Sequence, residues 1–149
     1  MATADKIKEL REKTGLSVMI CKKALEESKG NEAKAMEWLR KNGVEVAEKK
    51  ASRGTKAGIV EAYIHGNGQV GVLIEMKSET DFVAKNPEFK ALAHDIAMHI
   101  AALGPTDIKS LLDQEFIKDP GLKISDFITK HIQKFGENIE ITRFERFAL

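Results

Sequence analysis

Short apolar stripes with helical spacing repeat along the first fifty residues, and each stripe lies between a capping residue and a glycine. Thr3 or Asp5 can cap a first helix, and Gly15 then ends it. Because helices this short are not stable alone in water, they must pack on one another. The pattern predicts a three-helix bundle over residues 1–43. Its helices are expected at residues 6–13 with Ile7 and Leu10, at 17–29 with Val18, Cys21 and Leu25, and at 31–42 with Ala35, Met36 and Leu39.

Residues 44–57 lack such a stripe and form a charged connector, which can be either a helical extension or a linker broken at Gly54. Its basic run is the strongest candidate for nucleic-acid contact in the chain. No aromatic residue is interleaved to stack on bases, and Glu45 and Glu48 dilute the charge, so a solvated face is the favoured interpretation. The run consists of Lys49, Lys50, Arg53 and Lys56.

From residue 58 the period changes to two, which is the spacing of half-buried strands. Two alternating runs, at residues 58–64 and 70–77, flank a Gly-Asn-Gly turn and predict a β-hairpin. A third alternating run begins at Ile139 and can pair with this hairpin. The helix predicted over residues 87–103 is expected to lie across the hairpin. Its apolar stripe consists of Phe89, Leu92, Ala93, Ile96, Ala97, Ile100 and Leu103.

Smaller features complete this part of the chain. Thr106 and Asp107 can cap a short helical turn, and residues 118–121 are expected to form a turn. Ser125 is expected to cap a further helix that ends at Gly136. Strands followed by helices and then a strand place the fold in the α+β class. We therefore expect a core domain over residues 58–149, in which helices cover a small three-stranded antiparallel sheet.

Composition limits the function classes. The 24 Lys and Arg residues nearly balance the 23 Asp and Glu residues, whereas proteins that depend on phosphate contacts are usually basic. Direct nucleic-acid binding is therefore not expected. The single cysteine excludes an intramolecular disulfide, and no apolar run reaches the roughly 18 residues of a membrane span. Since the N-terminus has no signal-peptide pattern, a cytoplasmic protein without membrane contact is expected.

No catalytic or metal-binding motif is recognisable in the sequence. The Gly-x-Ser-x-Gly, His-Glu-x-x-His, Cys-x-x-Cys and Walker A patterns are absent. His94 and His99 flank an apolar stripe without further ligands and are expected to be solvated or hydrogen-bonded. Cys21 lies on the apolar side of its helix, which predicts a buried, inert thiol. The chain is therefore expected to be a protein-binding factor and not an enzyme, without metal, cofactor or catalytic residues.

Residues 79–87, which we call the corner, connect the second strand to the long helix. Thr80 is placed to cap a helical turn, and Asp81 then stands where the helix dipole favours a carboxylate. The same dipole accounts for Glu79. Phe82 follows at the junction. From the local pattern alone, its ring is expected to fold back into the core as a hydrophobic staple.

The N-terminal bundle resembles the small ubiquitin-associated type of three-helix domain, whose first loop carries a Gly next to a large apolar residue. Residues 14–16, Thr-Gly-Leu, have that pattern here. Domains of this type bind partner proteins through this loop and an adjoining helix face. The resemblance implies a secondary partner-binding surface that includes Lys8, Arg11, Val18 and Met19. For Val18 or Met19 taken alone, a position in the core or on an inert surface is as good an interpretation as partner binding.

Several stretches together resemble one family, translation elongation factor Ts. Leu10-Arg11-Glu12-Lys13-Thr14-Gly15 and Cys21-Lys22-Lys23-Ala24-Leu25 are similar to its opening signature. Glu79-Thr80-Asp81-Phe82-Val83-Ala84 is similar to its most characteristic motif, and Phe135-Gly136-Glu137-Asn138-Ile139 to the end of its first core subdomain. Two features depart from the family. Leu16-Ser17-Val18-Met19 stands where Met-rich or small residues are usual, and long members carry a second core subdomain and a coiled coil beyond the region that this chain covers.

The resemblance implies a guanine-nucleotide exchange factor that binds elongation factor Tu in its GDP-bound and nucleotide-free forms. It would promote GDP release by displacing Mg²⁺ during translation elongation. Phe82 would be the wedge that enters the partner's G domain. Asp81 would form hydrogen bonds to the partner, while Thr80 and Val83 hold the corner. Short family members are expected to pair as a homodimer, which gives the core over residues 58–149 a dimerisation role.

Two other functions remain open on the sequence. The first is a generic protein-binding module that works through the ubiquitin-associated-like bundle, with the α+β part as a scaffold. The second is an RNA-binding accessory factor that uses the basic run of the connector, although the net charge of +1 speaks against it.

Overall fold

The structure is a computed structural model and describes residues 2–149. The described chain divides into two compact units, one formed by residues up to 51 with 129–136, the other by residues 52–128 with 137–149.

No helix in this described part combines the length and the apolar character that a membrane crossing requires. In chain order the elements are α1 (Ala4–Thr14), α2 (Val18–Glu27), α3 (Glu32–Lys50), β1 (Ala57–His65), β2 (Val70–Ser78), α4 (Asp81–Ala84), α5 (Pro87–Leu103), α6 (Ile108–Asp113), β3 (Glu115–Phe116), β4 (Asp119–Lys123), α7 (Ile124–Phe135) and β5 (Ile139–Ala148).

The three predicted N-terminal helices are present and form most of the first unit. Each begins at a side-chain cap, because Thr3, Ser17 and Asn31 accept hydrogen bonds from backbone N–H groups three residues further on. Thr3, and not Asp5, therefore caps α1. The helices bury a small apolar core in which the thiol of Cys21 is enclosed, as predicted. This core consists of Leu10, Leu16, Cys21, Ala24, Leu25, Ala35 and Leu39.

The third helix does not end at Gly43, as the sequence pattern suggested, but continues to Lys50. Gly43 is buried within the helix, and a Cβ atom there would lie 2.9 Å from the side-chain oxygen of Gln133. Gln133 in turn donates a hydrogen bond to the backbone oxygen of Leu39 at 3.0 Å. Close approach of a neighbouring side chain therefore explains this glycine better than helix termination does. The connector is a helical extension as far as residue 50, which is one of the two forms that its composition allowed.

In the second unit, β1, β2 and β5 form the predicted three-stranded antiparallel sheet, with β2 in the middle. The hairpin turn contains Gly66 and Gly68, whose φ values of 52° and 84° favour glycine. One face of the sheet is covered by α5, whose apolar stripe is buried except at Leu103. These observations confirm the α+β class. The covered face contributes Val72, Ile74, Met76, Ile139 and Ile141 to the core.

The last strand differs from the simple alternation that its sequence predicts. A β-bulge interrupts β5, because Met76 pairs with Ile141 while Glu75 pairs with Arg143. The extra residue exchanges the two faces of the strand, so that Phe144 is half-buried and Arg143 is exposed. The predicted alternation is therefore wrong beyond the bulge.

A second, two-stranded sheet has no counterpart in the sequence pattern. Residues 118–121, expected as a turn, lie largely in β4, which pairs with β3, and the turn itself is formed by Ile117 and Lys118. β3 has only two residues, which is too short for an alternating pattern to be recognised. The next helix, α7, begins at the fully buried Ile124, so Ser125 lies inside its first turn and does not cap it.

Candidate protein-binding site

The corner contains a single helical turn, α4, between the end of β2 and the start of α5. Thr80 caps this turn as predicted, because its Oγ1 accepts a hydrogen bond from the backbone N–H of Val83 at 3.4 Å. Asp81 stands in the first turn, where the helix dipole favours its carboxylate. Asn86 caps α5, with its Oδ1 2.9 Å from the backbone nitrogen two residues further on. Side-chain caps therefore fix the corner at both of its helix starts.

Phe82 faces solvent at this corner and is 85% exposed, whereas Val83 and Ala84 face inward and are buried. A four-residue turn has only one side that faces the core. Because Val83 and Ala84 occupy that side, Asp81 and Phe82 face solvent. The expectation that Phe82 folds back as a staple is therefore wrong. Full burial of an aromatic ring of this size contributes about 1.5–3 kcal/mol, so the stability of this chain does not explain its exposure.

Thr80 is bonded through its backbone and through its side chain. Its backbone oxygen accepts hydrogen bonds from the N–H of Ala84 at 3.1 Å and from the hydroxyl of Ser78 at 3.0 Å. Its own N–H and hydroxyl donate to the two carboxylate oxygens of Glu137, at 2.9 and 2.6 Å. Thr80 thus joins the corner to the last residue of β2 and to the segment that precedes β5.

The sequence did not reveal the role of Glu79, in the corner, or that of Glu137, which bonds to the corner from outside it. Glu79 is not placed by the helix dipole, because its carboxylate accepts a hydrogen bond from the backbone N–H of Asn138 at 2.7 Å. Glu79 and Asn138 are separated by 59 positions in the chain, and Thr80 and Glu137 by 57. Local sequence patterns therefore cannot predict these contacts. The available signal is strand pairing: Glu137 and Asn138 directly precede the predicted third strand, which pairs with the hairpin.

A second candidate surface lies on the three-helix bundle. Lys8 and Arg11 are exposed on α1, and Val18 and Met19 are 49% and 83% exposed in the first turn of α2. The sequence left these two apolar residues open between partner binding and a position in the core or on an inert surface, and the structure excludes the core. Leu16, in the loop between the helices, is buried instead. All four predicted contact residues of the bundle are therefore exposed.

The two histidines of α5 have structural partners. His99 is fully buried; its Nδ1 accepts a hydrogen bond from the N–H of Ile117 at 3.1 Å, and its Nε2 lies 3.0 Å from Oε1 of Gln114. Burial lowers the pKa of His99, because the charged imidazolium is poorly solvated there. His94 lies edge-on to Tyr63, with ring centroids 5.5 Å apart. Among the described residues, no group of three or more His, Cys, Asp or Glu side chains could hold a metal ion.

The fold and the corner define a class: an α+β protein of two units that carries an exposed aromatic ring on a capped helical turn. Comparison with known proteins extends this to a family. The model of the family described as elongation factor TS matches residues 79–149, and thus begins at the first residue of the corner. Proteins named elongation factor Ts match almost the whole chain. They include those of Carboxydothermus hydrogenoformans (42% identical, covering 100% of this chain and 89% of the relative), Thermodesulfovibrio yellowstonii (43%, 99% and 96%) and Synechococcus sp. strain JA-3-3Ab (41%, 96% and 67%).

The chain therefore belongs to the elongation factor Ts family, a family of translation elongation factors. It is shorter than these relatives within the region that it shares with them. The alignment with the Carboxydothermus protein spans 194 positions, whereas this chain has 149 residues, so at least 45 aligned positions of that relative have no counterpart here.

Proposed function

We propose that this chain is a guanine-nucleotide exchange factor that binds elongation factor Tu·GDP and promotes GDP release by displacing Mg²⁺ during translation elongation. The observation that carries the proposal is the exposed ring of Phe82 on a turn that is capped and bonded to distant residues. Membership of the elongation factor Ts family supports the choice of partner. Since that partner works in the cytoplasm, we place this protein there as well, without membrane or direct nucleic-acid contacts.

The proposed activity follows from linkage between two binding equilibria. A GTPase holds GDP largely through its phosphates and the bridging Mg²⁺. An exchange protein that binds the nucleotide-free partner more tightly than the GDP-bound partner lowers the partner's affinity for GDP. The fold-change in GDP affinity equals the ratio of the exchange protein's two affinities. No covalent bond forms or breaks in this process. The factor therefore needs no catalytic residue and no cofactor, and it is not an enzyme in the chemical sense.

Four residues of the corner have distinct proposed roles. Phe82 is the wedge that enters an apolar gap in the partner's G domain and disturbs its Mg²⁺ site. The carboxylate of Asp81 is exposed beside the ring and accepts hydrogen bonds from the partner. Thr80 and Val83 hold the turn, the first as its cap and the second as its buried anchor. In protein interfaces, much of the binding energy comes from a few apolar side chains that are surrounded by polar groups.

The bundle supplies a second proposed contact with elongation factor Tu. Its exposed apolar residues, Val18 and Met19, lie in the first turn of α2, and Lys8 and Arg11 on α1 add positive charge. Methionine adapts its shape to a partner surface more readily than branched or aromatic side chains do. This surface therefore contributes to affinity, while the corner changes the partner's nucleotide site.

The proposal is tested by mixing the protein with elongation factor Tu that carries a fluorescent GDP analogue, and following release in excess unlabelled GDP. The rate should rise with the concentration of the protein and then saturate, because exchange proceeds through a binary complex. Binding that leaves the release rate at its spontaneous value would contradict the exchange function. It would favour the generic protein-binding module instead.

We also propose that two copies pair through the sheet face that α5 does not cover. Ile64, Gly71 and Phe147 lie in register across the three strands on this face, and Leu73 lies in the next outward row of β2. Val60 completes an apolar group whose members are 50–71% exposed, except for the half-buried glycine. Glu145 and Glu75 interrupt the group, because they pair with Leu73 and Val60 on the same face. An exposed apolar group rimmed by polar residues is typical of a protein contact. A twofold axis would let the same face bury itself against its copy.

Sedimentation tests this pairing. The wild-type protein should sediment as a dimer at micromolar concentration. Leu73→Glu should sediment as a monomer, because it would bury a second carboxylate directly opposite that of Glu145 in the paired face. Leu103→Glu, a matched change at a half-exposed leucine outside the sheet, should remain dimeric. A monomeric wild type would contradict the pairing and leave the exchange proposal unaffected.

A further inference from the structure

We infer that Glu137 is a positioning residue for nucleotide exchange: its carboxylate fixes Thr80 and thereby holds the turn that presents Phe82. The inference rests on the proposed function, and it assigns a role to a residue that acts through another side chain. Glu79 provides a reciprocal contact to Asn138. Together these four residues form what we call the carboxylate clamp, which consists of Glu79, Thr80, Glu137 and Asn138.

The clamp continues the pairing between β2 and β5. The last backbone pair of this ladder is Ser78 with Ile139. One further step in the same register would bring Glu79 opposite Asn138, and a second step would bring Thr80 opposite Glu137. These are the residue pairs that the carboxylates join, at 2.7 Å and at 2.9 Å. Side-chain oxygens thus replace backbone carbonyl acceptors beyond the end of the sheet.

Glu137 also determines how the hydroxyl of Thr80 is used. A hydroxyl has one proton to donate and lone pairs to accept with. The proton of Thr80 Oγ1 is directed to Glu137 at 2.6 Å, and Oγ1 is left to accept the N–H of Val83 at 3.4 Å. The carboxylate therefore selects the side-chain orientation in which Thr80 caps α4. A hydrogen bond to a charged acceptor is about twice as strong as a neutral one, so this orientation is well defined.

The turn that carries Phe82 depends on such outside contacts. α4 has four residues, far fewer than a helix needs to persist by itself. The ring of Phe82 is exposed and gains little orientation from packing within its own chain. On the opposite side of the clamp, Asn138 is buried and its side-chain nitrogen donates to the backbone oxygen of Arg53 at 3.0 Å. The clamp is therefore anchored to a part of the second unit that does not belong to the turn.

Loss of the clamp should affect one kinetic quantity more than another. If the bundle surface still forms the complex, an unclamped turn presents Phe82 correctly for only part of the time. The maximal release rate then falls in proportion to that fraction. The concentration for half-maximal rate changes little, because the bundle surface carries the binding step and Phe82 acts only after it. A residue that only supports the fold would lower the amount of active protein and would not change the maximal rate per folded molecule.

The test compares Glu137→Ala with Glu140→Ala in the fluorescent GDP release assay. Glu140 is a matched control, because it accepts a hydrogen bond from Thr55 at the same 2.6 Å, three residues further along the chain and outside the clamp. We expect Glu137→Ala to lower the maximal rate about three- to tenfold with an unchanged half-saturating concentration, and Glu140→Ala to keep it within about twofold. Amide hydrogen exchange should accelerate at Thr80 only in the first variant.

Glu137→Gln is the second variant, and it keeps the side-chain volume if the alanine variant does not fold. Its side chain presents one oxygen and one NH2 group where the carboxylate presents two oxygens. One of the two donors of Thr80 therefore meets a donor in place of an acceptor, and an intermediate loss of maximal rate is expected. An unchanged maximal rate in folded Glu137→Ala or Glu137→Gln would overturn the positioning role, as would an equal loss in Glu140→Ala. If Phe82→Ala itself leaves stimulated release unchanged, the wedge role of Phe82 has failed, and not merely the clamp. If the wild-type protein does not accelerate release, the proposed function has failed.

Discussion

The corner and the first turn of α2 both expose a large apolar side chain, but they hold it in different ways. Phe82 stands on a turn whose cap residue, Thr80, is bonded to Glu137 from a distant part of the chain. Met19 stands on a ten-residue helix whose cap, Ser17, bonds to Ile20 within the same helix. The Phe82 ring is rigid, and contacts between distant parts of the chain hold the turn that carries it. The Met19 side chain is flexible, and only local contacts cap its helix.

This difference separates the two proposed contact surfaces. An aromatic ring that must open a gap in a partner has to keep its direction while the partner resists, which requires support from outside its own turn. A methionine that adds affinity can adapt to the partner instead. Exposure alone would rank Phe82 and Met19 equally, because they are 85% and 83% exposed. What distinguishes the two residues is whether the backbone that carries the side chain is held by long-range or by local hydrogen bonds.

The largest expected effect is that of Phe82→Ala on nucleotide release. Truncating a central aromatic anchor costs about 2–4 kcal/mol of interface energy, so stimulated GDP release should fall at least about tenfold. The fold should persist, because the ring makes little contact with its own chain. Stopped-flow release measures the first quantity, and urea unfolding measures the second.

Leu103→Ala is the matched control, since it truncates another exposed apolar residue of the second unit. Its release rate should stay within about twofold of the wild-type rate. If Phe82→Ala and Leu103→Ala behave alike, the corner has no special role.

A smaller and different effect is expected for Met19→Ala. Because this residue is proposed to add affinity, the half-saturating concentration should rise about threefold while the maximal rate stays the same. Met36→Ala, at a partly exposed methionine of α3, should change neither quantity. A fall in the maximal rate for Met19→Ala would erase the distinction between the two surfaces.

The smallest effect concerns the acid sensitivity of the second unit. Burial lowers the pKa of His99, so the unfolded chain binds a proton more readily than the folded one. The stabilisation from neutral His99 is present above the ordinary histidine pKa of about 6.5 and is lost as the pH falls below it. Protonation would also place a hydrogen on Nδ1, which now accepts from Ile117. The free energy of unfolding should therefore decrease between pH 7.5 and 5.5.

Two variants isolate this contribution in urea titrations at both pH values. His99→Gln should show a smaller decrease than the wild type, because the titrating group is gone. His94→Gln, at an exposed position of the same helix, should keep the wild-type decrease. Equal decreases in all three proteins would mean that His99 does not set the pH dependence.

Sequence reasoning reached the elements with strong periodicity or clear caps. The bundle helices, the hairpin, α5 and the capping role of Thr80 could all be predicted, because each is encoded within a few neighbouring residues. The resemblance to elongation factor Ts singled out Phe82, although the local pattern favoured a buried ring. Family motifs thus corrected what short-range physics would have misplaced.

What the sequence concealed depends on residues that are far apart along the chain. Gly43 looked like a helix stop, and its true reason is the side chain of Gln133, ninety positions later. The bulge in β5 shows only in its pairing with β2, and the pair β3–β4 is too short to have a period. The role of Glu137 could not be predicted for the same reason, since its partner is Thr80.

The role of the Phe82 ring at the partner's metal site can be measured by varying Mg²⁺. Maximal GDP release from elongation factor Tu is determined for the wild-type protein and for Phe82→Ala, once in millimolar Mg²⁺ and once in excess EDTA. If the ring acts by displacing the ion, the wild-type protein should exceed the variant at least about tenfold in Mg²⁺, and this ratio should approach one in EDTA. A ratio that is the same in both conditions would contradict displacement of Mg²⁺ by Phe82.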